Sequence, residues 1–250
     1  MENRLTFPSQ GNEITAILTE PKKPNGKGVV LLHCFTCTKH HRIMRTLAAE
    51  LASRGFSVLR FDFSGNGESG GKIEEATYTR MLGEVSDGVS VLLSRGMKKV
   101  AVAGHSMGAM LSLLSAQADG RIGAVGFIAG SSQAARVREV FPADAIAKAE
   151  RDGEAESEAY GRKLILKKEF LLDVEKYNVG HAAATLGRPI LIVHGKDDET
   201  IPFYHARQLF NWCKGEKTLE LMDGADHLFK KDGSLERMTK TVGEWFGKTL

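Results

Sequence analysis

The chain has 250 residues, of which 42% are apolar and 26% charged, and a formal net charge of +3. That balance excludes disordered and fibrous classes; with Lys98-Lys99, Lys167-Lys168 and Lys230-Lys231 as isolated pairs and no basic stripe, it also gives no reason to expect a nucleic-acid partner. No segment approaches the roughly 18 apolar residues that span a bilayer, and Met1–Pro8 lacks the apolar core of a secretory signal, so no membrane partner and a cytoplasmic location are expected.

Leu5–Phe7 and Ile14–Leu18 flank Gly11-Asn12 and predict an antiparallel hairpin, followed by a loop over Pro21–Gly28. Val29–Leu32 is a continuous apolar run, the form of a strand covered on both faces in a parallel sheet. Ile43, Leu47 and Leu51, widened by Ala48 and Ala52, recur with helical period up to Gly55, and Ser57–Asp62 reads as the next strand. Leu82, Val85, Val89, Leu92 and Leu93 form a second helical face ending near Gly96, after which Lys99–Ala103 is a strand. Ala124–Ala129 and Pro189–His194 read as further buried strands, Tyr204–Trp212 and Ser234–Phe246 as helices, and Thr218–Leu221 as a short strand between them. This alternation predicts an α/β class with a doubly wound, mostly parallel sheet and an antiparallel N-terminal hairpin. Residues 133–187 interrupt it: Glu150–Glu158 and Arg162–Glu169 are charged helix formers with no strand pattern. The expectation is a small helical cap over 133–187, inserted into a core made of 1–132 and 188–250.

Gly104-His105-Ser106-Met107-Gly108 sits between the strand Lys99–Ala103 and the helix-like run Ala109–Leu114. So sharp a strand-to-helix turn strains the serine backbone and leaves no room for a side chain on either flank, which glycine at both positions solves. The hydroxyl then stands over the sheet end, and N–H groups unsatisfied at the helix start point toward a developing oxyanion. A serine hydroxyl becomes nucleophilic only when an imidazole takes its proton, and that imidazole needs a carboxylate to hold its tautomer. Acids follow the strand Ile190–Val193 in His194-Gly195-Lys196-Asp197-Asp198, and a histidine closes Met222-Asp223-Gly224-Ala225-Asp226-His227 after the last strand. Both loops lie where ligands gather in open α/β folds. His105, inside the turn, and His194, at a strand end, read as packing and loop-bonding residues.

These motifs resemble the α/β-hydrolase superfamily, and within it the small serine esterases, over essentially the whole chain. The resemblance implies Ser106 as nucleophile in G-x-S-x-G, Asp198 as acid in H-G-x-x-D and His227 as base in G-x-x-H, with the adjacent Asp197 a rival for the acid role. It also implies an oxyanion hole from the backbone N–H groups of Phe35 and Met107, in a loop where His33-Cys34-Phe35 stands for the family's His-Gly-x. Cysteine replaces that glycine; if the position needs positive φ, the loop must take a different path. His33–Cys37 is also similar to hydrolase domains fused to redox-active OsmC-like modules, although no second module is read here.

Cys34-x-x-Cys37 with His40 and His41 close behind has the spacing of a zinc site or a redox pair, but it lacks the second ligand pair a zinc site needs and three cysteines point to free thiols, so neither metal nor redox chemistry is expected and the cysteines read as small packing residues lining the pocket. Asp62–Gly70 contains G-x-G-x-x-G, but no helix starts inside the glycines, so neither a dinucleotide nor another cofactor is expected. It resembles the hydrolase D-x-x-G-x-G-x-S turn, in which Asp62 braces the active-site loops. The resemblance implies acyl transfer to Ser106 from a small-molecule carboxylic ester with a short or aromatic acyl group such as cinnamoyl or feruloyl. Thioesters, lactones and peptides use the same machinery, and two alternatives stay open: a cofactor-free perhydrolase or haloperoxidase, and a non-catalytic ligand-binding protein on the same fold. A homodimer through the cap or a sheet edge is compatible with all of these.

Overall fold

The computed structural model describes residues 1–231 and 233–250. Its sheet follows from the continuous apolar runs. Successive strand side chains point to opposite faces. In β3 (Lys27–Leu32), β5 (Lys99–His105) and β9 (Ile190–Gly195), therefore, Val29, Leu31, Ala101, Ala103, Leu191 and Val193 enter one core layer, while Val30, Leu32, Val100, Val102, Ile190 and Ile192 enter the other.

Together with β1 (Glu2–Ser9), β2 (Asn12–Thr19), β4 (Ser57–Phe61), β6 (Ile122–Ile128) and β10 (Lys217–Met222), these strands form one sheet in the order β1-β2-β4-β3-β5-β6-β9-β10. β2 runs antiparallel to both β1 and β4, and the remaining pairings are parallel. α1 (Arg42–Ser53) and α8 (Ser234–Thr249) cover the first layer, and α2 (Tyr78–Ser94), α3 (Met107–Ala118) and α7 (Tyr204–Trp212) the second. From β3 the chain crosses to β4 on one side, and from β4 it returns to β5 on the other. The loops after β3 and β5 therefore diverge and leave a crevice, the switch point at which open α/β sheets bind ligands. No helix among the described residues is long and apolar enough to cross a membrane.

Between β6 and β9 lie a 3₁₀ segment (Ala134–Val140), α4 (Ala143–Asp152), α5 (Lys168–Val174) and α6 (Val179–Thr185). Between α4 and α5 the chain departs from the helical expectation: β7 (Glu154–Ala159) and β8 (Arg162–Lys167) pair as an antiparallel hairpin. Ala155 and Ala159 on one strand and Leu164 and Leu166 on the other are buried with period two, and the turn falls on Tyr160-Gly161 with φ of 51° and 77°. Positive φ at both central residues is what a two-residue hairpin turn requires. Val137, Phe141, Leu164 and Phe170 of residues 133–187 join the core layer of α2 and α3, and Val137, Val140 and Tyr160 line one cavity with Ser106.

The turn from β5 into α3 places Ser106 at φ 58° and ψ −117°. A Cβ at Gly104 would lie 2.0 Å from the Gly108 carbonyl oxygen, and one at Gly108 would lie 2.2 Å from the Leu32 carbonyl oxygen. Backbone cannot yield as a flexible side chain does. Gly108→Ala is therefore expected to lower the unfolding free energy by about 2 kcal/mol or more. Gly247→Ala, at a helical position where a Cβ meets nothing within 4 Å, should raise it by about 0.5 kcal/mol. Urea unfolding of the two variants checks this, and equal stability of both would contradict the close packing described.

Candidate active site

Ser106, Asp198 and His227 come from three loops at the carboxyl ends of β5, β9 and β10, and the fold brings all three together. The Ser106 hydroxyl lies 3.2 Å from His227 Nε2, and His227 Nδ1 lies 2.8 Å from Asp198 Oδ2. The second Asp198 oxygen accepts hydrogen bonds from the backbone N–H groups of Thr200 (2.9 Å) and Ile201 (2.7 Å). His194 adds a contact that sequence reasoning left out: its Nε2 lies 3.1 Å from Asp198 Oδ2 and 2.7 Å from the Ile201 carbonyl. Burial opposes charge on Asp198, but the bonds from His194, His227 and the Ile201 N–H outweigh it and hold the carboxyl well below the usual carboxylate range. Asp197, the rival acid, turns away; its side chain is 47% exposed and pairs with Lys231.

The His227 loop is fixed from behind. His105 is fully buried, and its Nε2–H donates to the His227 carbonyl at 2.8 Å. Burial, reinforced by the neighbouring His227, pushes the His105 imidazole down to about 3, so it stays neutral. Arg42 donates to the Leu228 and Phe229 carbonyls from α1, and the Asp197 N–H donates to the Ala225 carbonyl, joining the loops that carry Asp198 and His227.

Phe35 and Met107 both line the cavity beside Ser106. Met107 opens α3, so its N–H has no acceptor within the helix, and among the described residues the Phe35 N–H has no acceptor either. Positive φ in this loop falls on Thr36 (59°) and not on Cys34, so cysteine at the family's glycine position is tolerated without left-handed strain. The expectation of free thiols is overturned here. Cys34 and Cys37 are bonded as a disulfide, with Cα atoms 5.2 Å apart, and only Cys213 is free. The two positions close a turn in which the Cys37 N–H donates to the Cys34 carbonyl at 3.1 Å, which brings the sulfurs within reach.

This loop is tied to the next one by a buried ion pair with no signature in the sequence. Lys39 Nζ meets Asp62 Oδ2 at 2.5 Å and Glu68 Oε2 at 2.5 Å, and its backbone N–H donates to Asp62 Oδ1 at 2.6 Å. Asp62 also accepts from the Glu68 N–H and the Ser69 hydroxyl, the bracing role its position suggested. His33 completes the tie. Its Nδ1–H donates to the Cys34 carbonyl at 2.7 Å, and its Nε2 accepts from the Phe63 N–H at 3.2 Å, a pattern only the neutral ring can make.

Over Ser106 lies a cavity of about 310 Å³, walled by Phe35, Met110, Val137 and Val140 and carrying polar groups from Ser131, Arg136, Glu139, Tyr160 and Thr200. Arg136 pairs with Glu139 at 3.2 Å. Val137, Val140, Arg136, Glu139 and Tyr160 all lie within residues 133–187, where sequence patterning named no site residue; the turn dipeptide Tyr160-Gly161 was the one available signal.

A model of the alpha/beta hydrolase family matches residues 29–230. Among solved structures, the chain is similar to Est1E from Butyrivibrio proteoclasticus with ferulic acid bound, with a TM-score of 0.84, 23% identity and 98% of each chain covered. It is also similar to the esterase domain of a Rhodothermus marinus protein, with a TM-score of 0.78, 25% identity, and 99% of this chain and 98% of that one covered. Among curated sequences, it is 24% identical over 185 residues to the uncharacterized protein YfhR of Escherichia coli O157:H7. That match covers 73% of this chain and 57% of YfhR, so the chain spans little more than half the length of that relative.

Burial holds His33 down to about 4 against an ordinary 6.5. Between those pH values the unfolded chain binds a proton that the folded chain refuses, so stability falls as pH drops from about 6.5 to about 4 and does not change on this account above it. His205, lowered to about 4 by burial and by Arg136, adds to the same slope. Urea midpoints at pH 7 and pH 5 should show the fall, and His33→Asn should shrink it; an unchanged slope would place the His33 ring in water.

Proposed function

Because this chain belongs to the alpha/beta hydrolase family, we propose that it is a serine hydrolase cleaving small carboxylic esters, with Ser106 as nucleophile, His227 as base and Asp198 as the acid that orients it. The observation that carries this is the unbroken hydrogen-bonded line from Ser106 through His227 to Asp198 beside the cavity. As the serine oxygen attacks the ester carbonyl, its proton passes to Nε2. The Nδ1–H bond to Asp198 keeps Nε2 the accepting nitrogen, and the carboxylate stabilises the imidazolium that forms. The Phe35 and Met107 N–H groups take the oxyanion. His227 then protonates the departing alkoxide, and water repeats the sequence on the acyl-enzyme, releasing the acid and restoring the serine.

The acyl group fits the cavity over Ser106. At about 310 Å³ that space is at the small end for ligand pockets, and its walls are mostly apolar, which favours short or flat aromatic acyl groups over long chains. Arg136, Ser131 and Tyr160 offer hydrogen bonds to ring hydroxyls of a phenolic acyl group, the class of ligand in the similar Est1E structure.

Turnover of p-nitrophenyl acetate and methyl ferulate should fall by a factor on the order of 10⁶ in Ser106→Ala and by about 10⁴ in Asp198→Asn. Asp197→Asn, which alters only the outward-facing acid, should stay close to the unmodified protein. Wild-type-like turnover by Ser106→Ala would refute the proposal.

A further inference from the structure

We propose that Cys34 and Cys37 form a thiol–disulfide exchange site, reduced by a dithiol, whose closed form holds the Phe35 N–H in place and whose open form releases it. The inference rests on the ester-hydrolase proposal for what that N–H does; the exchange chemistry itself stands apart from it.

The disulfide closes a loop of only four residues, Cys34-Phe35-Thr36-Cys37, around the expected oxyanion donor. Within that loop Thr36 takes φ 59°, an uncommon conformation for a β-branched residue. Among the described residues the turn is held by the Cys37 N–H bond to the Cys34 carbonyl, by the His33 Nδ1–H bond to that same carbonyl and by the sulfur–sulfur bond, the covalent link across it. Opening the sulfur–sulfur bond leaves only hydrogen bonds against the preference of Thr36 for negative φ. The Phe35 ring is anchored near Phe141 and Phe170, with centroids 5.8 and 5.9 Å away, so relaxation of the loop turns its peptide groups about a fixed side chain.

The surroundings suit exchange better than permanent cross-linking. Cys34 is 8% exposed and Cys37 is more open, so an incoming thiolate reaches the Cys37 sulfur first. A ring nitrogen of His41 lies within 4.8 Å of both sulfurs, and among the described residues its buried Nδ1 has no hydrogen-bond partner. Neither Ser106, Asp198 nor His227 requires that imidazole. Cys213, by contrast, is a free thiol buried after α7.

In the step proposed, one thiolate of the dithiol attacks the Cys37 sulfur. The Cys34–Cys37 bond breaks, and the Cys34 sulfur leaves with the electron pair and takes a proton by way of His41. The second thiolate of the dithiol then attacks its own sulfur in the mixed disulfide and expels the Cys37 thiolate, which is protonated. The dithiol departs as its cyclic disulfide, so two electrons and two protons pass to the cysteine pair.

The test equilibrates the full chain with dithiothreitol at graded ratios of reduced to oxidised form. Three readouts follow: alkylation of Cys34 and Cys37 by mass spectrometry, amide hydrogen exchange of peptides over residues 29–42, and kcat and KM on p-nitrophenyl acetate. Expected are a single transition in alkylation at both cysteines, exchange in that segment faster by at least about tenfold in the reduced form, and kcat lower by a factor on the order of 10² with little change in KM. Cys37→Ser should sit in the slow state at every ratio, while Cys213→Ser should follow the unmodified protein. If both cysteines alkylate without reductant, or if the opened pair leaves exchange and kcat unchanged, the proposal is overturned while ester hydrolysis stands. If no ester turns over in either state, the hydrolase proposal fails, and the exchange measurement alone decides whether the bond clamps the loop.

Discussion

At Ser106 the backbone sits at φ 58° and ψ −117°, outside the regions open to ordinary residues, and the rest of the site is arranged around that one position. The conformation survives because α3 packs directly on the ends of β3 and β5, with backbone of Gly104 and Gly108 at distances where no Cβ fits. Strain of this kind persists only where surrounding structure over-determines it. The parallel pairing of β3 with β5 and of β5 with β6, together with the Ser106 N–H bond to the Ile128 carbonyl at 2.9 Å, supplies that determination. One consequence is geometric: the same turn lifts the hydroxyl above the sheet and starts a helix whose first N–H faces the same space.

Around this fixed point the loops are tied to each other as well as to the core. Lys39, Asp62 and Glu68 join the loop after β3 to the loop after β4, and Arg60 donates to the Lys39 carbonyl from the strand beneath. Arg42 and His105 hold the His227 loop by its carbonyls, while Asp198 is held by two backbone N–H groups. These contacts bury charge, and removal of either member of a buried pair such as Lys39–Asp62 leaves the other uncompensated. The site is thus preorganised through polar groups that are satisfied in one loop arrangement, while the cavity walls combine Phe35 and Met110 with Val137 and Val140 of residues 133–187.

Much of this was legible in the sequence, for physical reasons. Runs such as Val29–Leu32 and Ile190–Val193 read as buried strands because both faces of a parallel sheet are covered, and Ser106 stood out because two flanking glycines between a strand and a helix have few other uses. The choice between Asp197 and Asp198 was harder, since adjacent acids on one loop differ only in which way the backbone turns them. The β7–β8 hairpin was not visible: Glu154–Lys167 is rich in residues that favour helix, and its period-two signal rests on Ala155 and Ala159, side chains too small to dominate a pattern. The Cys34–Cys37 bond was missed because an odd cysteine count argues for free thiols, whereas the bond depends on loop geometry that brings two Cα atoms to 5.2 Å. Lys39 carried no signal, as its burial follows from partners far along the chain.

The central claim is that Ser106 is activated by His227 at a solvent-reachable cavity. Incubation with a p-nitrophenyl alkylphosphonate followed by peptide mass spectrometry tests it most directly. One adduct per chain, on Ser106, with labelling slowed by orders of magnitude in His227→Gln, is the predicted result; labelling elsewhere, or equal labelling with His227 replaced, would contradict it.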